Sequence, residues 1–121
     1  MSPRIYVVSL YADDLKITAH FYRDVIGLRL LPSHGDRPHF DLGGSYLVLL
    51  PGKPALAQDA NRLRFPVVAF RVDSLDAALD RLEKHGVELP WGVEQNEASR
   101  WVMFHDPAGN LIELVEVIDA Q

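Results

Sequence analysis

The chain carries one pattern twice, and this duplication constrains its fold more than any other feature. Val7-Val8-Ser9-Leu10-Tyr11 leads through Asp13-Asp14 into a helix-spaced apolar stretch that stops at Gly27-Leu28. Val67-Val68-Ala69-Phe70-Arg71 leads through Asp73-Ser74 into a second such stretch, which stops at Gly86-Val87. The two starts lie sixty positions apart. Each copy then closes on a glycine followed by an apolar run, from Gly44 in the first and from Gly109 in the second. A solenoid needs three or more stacked repeats to bury a continuous core, so two copies point to a pair of modules related by a pseudo-twofold axis.

The elements within a copy follow from local pattern. Residues 5–11 are rich in Ile, Val, Leu and Tyr, as a buried strand would be. A helix is expected next, capped by Asp13 or Asp14, with Leu15, Ala19, Tyr22 and Val25-Ile26 at helical spacing and Gly27 at its left-handed end. In the second copy Asp73 or Ser74 caps, Leu75, Ala78-Leu79 and Leu82 form the stripe, and His85-Gly86 closes it. Lys84 and His85 there suit the negative end of the helix dipole. Three short strands follow each helix, at 28–31, 39–42 and 46–50, then at 87–91, 101–105 and 111–117. The predicted fold is therefore α+β: two tandem βαβββ modules, about 4–50 and 65–118, joined by a linker at 51–64 that Pro51-Gly52-Lys53-Pro54 opens. Such a unit covers one sheet face with its helix and leaves the other bare, so the modules are expected to form a cupped mixed sheet.

Composition removes several function classes. A chain of 121 residues holds one compact domain or two half-size modules, not a catalytic domain plus a regulatory one. No stretch approaches the roughly 18 apolar residues of a membrane span, and Met1-Ser2-Pro3-Arg4 does not read as a secretory signal. The absence of cysteine excludes disulfides, thiolate metal sites and a cysteine nucleophile, and a cytoplasmic location is expected. A net charge of −5 with twelve scattered basic residues argues against nucleic acid or a membrane surface as partner.

Tyr11-Ala12-Asp13-Asp14-Leu15, the run from Phe21 through Leu28, and the run from Phe104 through Leu114 with His105-Asp106-Pro107 at its start resemble the glyoxalase / bleomycin-resistance / dioxygenase group, also called the vicinal oxygen chelate superfamily. The resemblance covers nearly the whole chain. It implies a homodimer in which modules of different chains complete each cup. It also implies a divalent metal held by one ligand on the first and one on the last strand of each module. Those four places fall on Val7, Val48, Val67 and Glu113. Valine has no lone pair, and one carboxylate alone does not hold a catalytic divalent ion. No metal and no other cofactor is therefore expected, the alternative being a relocated site that uses His39 or His105 with Glu113. His20 and His85 read as solvated helix residues and His34 as a loop residue.

Alternation in strands sets which side chains share the cup face. Besides the three valines these include Ser9, Tyr11, Tyr46, Arg71 and Glu113, with Trp101 and Met103 on a neighbouring strand as floor or rim. An apolar cup with a few polar groups is the composition of a small-molecule pocket. The expected ligand is small and partly aromatic or hydrophobic, as a sequestered drug or toxic metabolite would be. Glu113 brings a charge into an apolar strand, which leaves three roles open: an ion pair with Arg71, contact with a cationic or hydrogen-bond-donating ligand, or a general base of raised pKa in a lyase, isomerase or dioxygenase-like enzyme. The loops 33–38 and 93–100 are expected to gate the cup.

Overall fold

The computed structural model describes residues 2–32, 37–53 and 66–118. Among them the chain forms β1 (Val7–Ala12), α1 (Leu15–His20) running on as a π-helix (Phe21–Ile26), β2 (Arg29–Leu30), β3 (His39–Asp41) and β4 (Tyr46–Pro51). The pattern then repeats as β5 (Val67–Arg71), α2 (Leu75–Lys84), β6 (Val93–Gln95), β7 (Ser99–His105) and β8 (Leu111–Val117). Two compact units result, Met1–Leu56 and Ala57–Gln121. Each has its own four-stranded mixed sheet, ordered β1-β4-β3-β2 in one and β5-β8-β7-β6 in the other. The first strand of each pairs parallel with the last, and the other pairings are antiparallel. The expected α+β fold of two βαβββ modules is thus present. No helix among the described residues is long and apolar enough to cross a membrane.

Register explains why each sheet has one closed face. In the first unit Leu10 stands opposite Leu49 and Phe40 opposite Leu47, and all four are buried on the side that carries α1. Phe21, Tyr22, Val25 and Ile26 are buried too, and the Tyr22 ring lies 6.0 Å from Phe40. In the second unit Val102 faces Leu114 and Phe104 faces Ile112, beside buried Leu75, Ala78 and Leu82 of α2. Full burial of such side chains contributes about 1.5–3 kcal/mol each, an upper figure because the unfolded chain is itself partly collapsed.

The helix starts are resolved in favour of one of each pair of candidates. Asp14 accepts from the Ile17 N–H at 3.0 Å, and Ser74 Oγ accepts from the Ala77 N–H at 3.1 Å. Glu116 of β8 adds a contact between elements, accepting from the Leu75 N–H at 2.6 Å. Gly27 ends the first helical stretch at φ 93°, a conformation that costs glycine little.

Several local expectations change. The first helix is not α-helical throughout, because from Phe21 it widens to π geometry. The inward pairs Phe21-Tyr22 and Val25-Ile26 fit either repeat, so six residues of sequence could not separate them. The strand expected at 87–91 does not form: Pro90 lacks an N–H, the Gly92 N–H bonds back to Leu89 O at 3.2 Å, and β6 begins only at Val93. β7 in turn starts two residues earlier, at Ser99. Asn96 joins them, its Oδ1 accepting from the Ala98 and Ser99 N–H groups, so the loop expected at 93–100 is instead a hairpin. Most of the linker, His34 and residues 33–36 of the first expected gating loop lie outside the described residues.

Candidate functional site

Each unit presents a second sheet face, opposite its helix, that carries the candidate side chains. In the first, Val7, Ser9 and Tyr11 of β1 pair with Tyr46, Val48 and Leu50 of β4, and His39 of β3 pairs with Val48. Adjacent paired residues project to the same side. Val7 and Tyr11 are exposed, whereas Val48 is buried. Tyr46 meets the ring of Tyr6 edge to face at 5.7 Å. His39 Nδ1 lies 2.7 Å from Arg37 O, and since a carbonyl only accepts, Nδ1 donates.

In the second unit Glu113 of β8 stands between Ala69 of β5 and Met103 of β7. The next row holds Arg71, Val115, Trp101 and Glu94 in that order across all four strands. The indole Nε1 of Trp101 donates to Glu94 Oε1 at 3.2 Å. His105 falls on the same face one row the other way, opposite Leu111, with its ring 5.8 Å from that of Trp91. The register also equates the two copies. Val48 and Glu113 occupy the same place in their sheets, each opposite the third residue of the first strand, and Val7 and Val67 are likewise equivalent.

Burial pushes the Glu113 carboxyl above its ordinary pKa, and the charge of Glu94 pushes it further. Arg71 would act in the opposite sense if it were paired, but among the described residues no ion pair joins Arg71 to Glu113. Of the three roles open to Glu113, the structural ion pair is therefore removed. Glu94 was missed as a site residue because it was assigned to a loop. Its signal was available in the Asn96 turn between two short strand-forming runs. The turn that follows His105 is held by Asp106. That buried carboxylate accepts from the Ala108 N–H, the Asn110 N–H and Asn110 Nδ2, each at 2.9 Å. Of the other histidines, His20 pairs with Asp24 at 2.7 Å and His85 caps α2.

The described residues of these faces offer few metal donors. Val7, Val48 and Val67 offer no lone pair, and among the described residues no group of three or more His, Cys, Asp or Glu could hold an ion. The face of the second unit instead combines an indole, a thioether, aliphatic side chains and two carboxylates, of which Glu113 has its pKa raised by burial and by the charge of Glu94. It can pack a flat apolar molecule, accept hydrogen bonds, and take up or release a proton at Glu113.

Residues 4–114 match the family model of the Glyoxalase/Bleomycin resistance protein/Dioxygenase superfamily. The chain belongs to this superfamily. It is 31% identical to the uncharacterized protein YaeR of Escherichia coli (strain K12), over 93% of this chain and 95% of that one. Among solved structures it is similar to a lactoylglutathione lyase from Agrobacterium tumefaciens, with a TM-score of 0.73, 29% identity, and 96% and 95% of the two chains covered. It is also similar to TnmS3, an antibiotic binding protein from Streptomyces sp. CB03234, with a TM-score of 0.72, 27% identity, and 96% and 97% covered. The solved structures it is similar to thus include both a lyase and an antibiotic binding protein, at similar identity.

Proposed function

We propose that this superfamily member has a degenerate metal site and binds a small, partly aromatic or hydrophobic molecule on its open sheet faces, in the manner of a sequestering protein. The observation that carries this function is the substitution pattern at equivalent register places: valine at 7, 48 and 67, and Glu113 as the sole remaining donor, set beside Met103 with Trp101 and Glu94 in the next row. Apolar surface supplies affinity, and the carboxylates orient a ligand that donates hydrogen bonds. Ser9, Tyr11, Tyr46 and Arg71 are the further polar contacts proposed. The similarity to an antibiotic binding protein supports this function. No cofactor is required for it. We place the protein in the cytoplasm, as a homodimer, and light scattering of the purified chain tests the dimer.

The test has two arms. Untagged protein is challenged with Zn²⁺, Ni²⁺, Mn²⁺ and Fe²⁺ and analysed for bound metal, then titrated with planar aromatic compounds while tryptophan fluorescence is read. Substoichiometric metal together with a saturable response that Glu113→Gln weakens is the expected result. Stoichiometric metal lost in Glu113→Ala would overturn the proposal.

The raised pKa of Glu113 favours one alternative, an enzyme of the lyase or isomerase kind with Glu113 as general base. The similarity to a lactoylglutathione lyase stands on the same side. Turnover of a small carbonyl or glutathione-adduct substrate that Glu113→Gln abolishes while binding persists is the outcome that selects it.

A further inference from the structure

The first unit also has a groove on its helix side, away from the open sheet face. It encloses about 410 Å³ between α1, the start of the π-helix, β2 and the residue before β3. Lys16, His20 and Arg23 form one wall, and Leu15, Ala19, Leu30 and Pro38 form the rest. The arrangement follows from chain geometry. At about 100° per residue, positions 16 and 20 of α1 fall within about 40° of arc, positions 15 and 19 lie on the flank nearer the sheet, and Arg23 of the π-helix lines the same groove. Leu30 pairs with buried Phe40 and so points to the helix side, but β2 is an edge strand of two residues and Leu30 remains 36% exposed. An apolar floor therefore lies open beside a cationic wall.

The charge balance leaves the wall positive at Lys16. Asp24 takes Arg23 Nε at 2.9 Å and Nη2 at 2.8 Å, and also meets His20 at 2.7 Å. One carboxylate thus offsets one guanidinium, and among the described residues no ion pair engages Lys16. We propose that this groove is a second ligand site, which takes a small anionic amphiphile: a carboxylate with a short apolar body, its anion on Lys16 and its body on Leu15, Leu30 and Pro38. The volume lies within the usual range of small-molecule sites, about 300–1,000 Å³. The charge complementarity runs against the chain's net charge of −5, so attraction of an anion here is local and not a property of the whole surface.

The test is an amide-resolved NMR titration of the intact protein with octanoate, octylammonium and octan-1-ol, each below its micelle or solubility limit. Octanoate is expected to produce saturable shifts confined to residues 15–30 and 37–39, with weaker effects from the other two. Lys16→Glu, at an exposed helix position, should weaken octanoate about five- to tenfold, as when a surface attraction becomes a repulsion. Leu30→Glu on the neighbouring strand should weaken it as well. The site is refuted if octanoate gives no saturable shift, if octylammonium or octanol binds as well as octanoate, or if the shifts fall on β1, β4 or β8 instead. Failure here leaves Glu113 and the open faces untouched, because no residue is shared between the two sites.

Discussion

Asp106 links the fold to the candidate site, and its removal makes a demanding test. It is 4% exposed and accepts three hydrogen bonds at 2.9 Å, from the Ala108 N–H, the Asn110 N–H and Asn110 Nδ2. Those bonds shape the turn that sets the register of β8 against β7, and therefore which face Glu113 occupies. Hydrogen bonds to a charged acceptor contribute about 1.5–3 kcal/mol each, but three on one side chain are not additive, so Asp106→Ala should cost about 3–4 kcal/mol. For a chain of this size that lowers Tm by about 10–20 °C. Asp106→Asn keeps an oxygen for the two backbone donors and loses the contact with Asn110 Nδ2, at about 1–2 kcal/mol. Urea denaturation of the three proteins, followed by circular dichroism, measures both values. If Asp106→Asn costs as much as Asp106→Ala, or if Asp106→Ala costs less than about 1 kcal/mol, the turn does not depend on these acceptors and the reasoning is wrong.

Thr18 is 1% exposed and its Oγ1 is buried without a hydrogen-bond partner among the described residues, so Thr18→Val should raise stability by about 1 kcal/mol in the same denaturation assay; no change or a loss would show that the hydroxyl is satisfied in solution. The raised pKa of Glu113 means that the folded state holds its proton longer than the unfolded chain does, so stability falls as pH rises from the ordinary carboxylate range through the folded pKa. Glu113→Gln should remove that fall, and a pH–stability curve unchanged by the substitution would contradict it. Gly27 at φ 93° accepts a side chain poorly, so Gly27→Ala should cost about 1–2 kcal/mol, read as an earlier thermal midpoint.

The candidate site was half legible in the sequence. Glu113, Trp101 and Met103 share a strand-to-strand neighbourhood that alternation alone could anticipate, since side chains on paired strands alternate with period two. The relation of Glu113 to its charged neighbours was not legible. Arg71 stands one row from Glu113 on the same face yet forms no ion pair with it among the described residues, and Glu94, sixteen positions before Asn110 in the chain, reaches that face because the Asn96 turn folds β6 back on β7.

The sequence by itself determined the duplicated βαβββ order, a cap within each of the pairs Asp13-Asp14 and Asp73-Ser74, and the glycine stop at Gly27, because each depends on residue type and local spacing. Only the tertiary structure decided that Glu113 answers to Glu94 and not to Arg71, that the first helix widens into a π-helix, and that Leu30 is left open beside Lys16 and Arg23. Those outcomes rest on which side chains burial and strand register bring within a few ångströms, and residues distant in the chain carry no mark of that proximity in their own order.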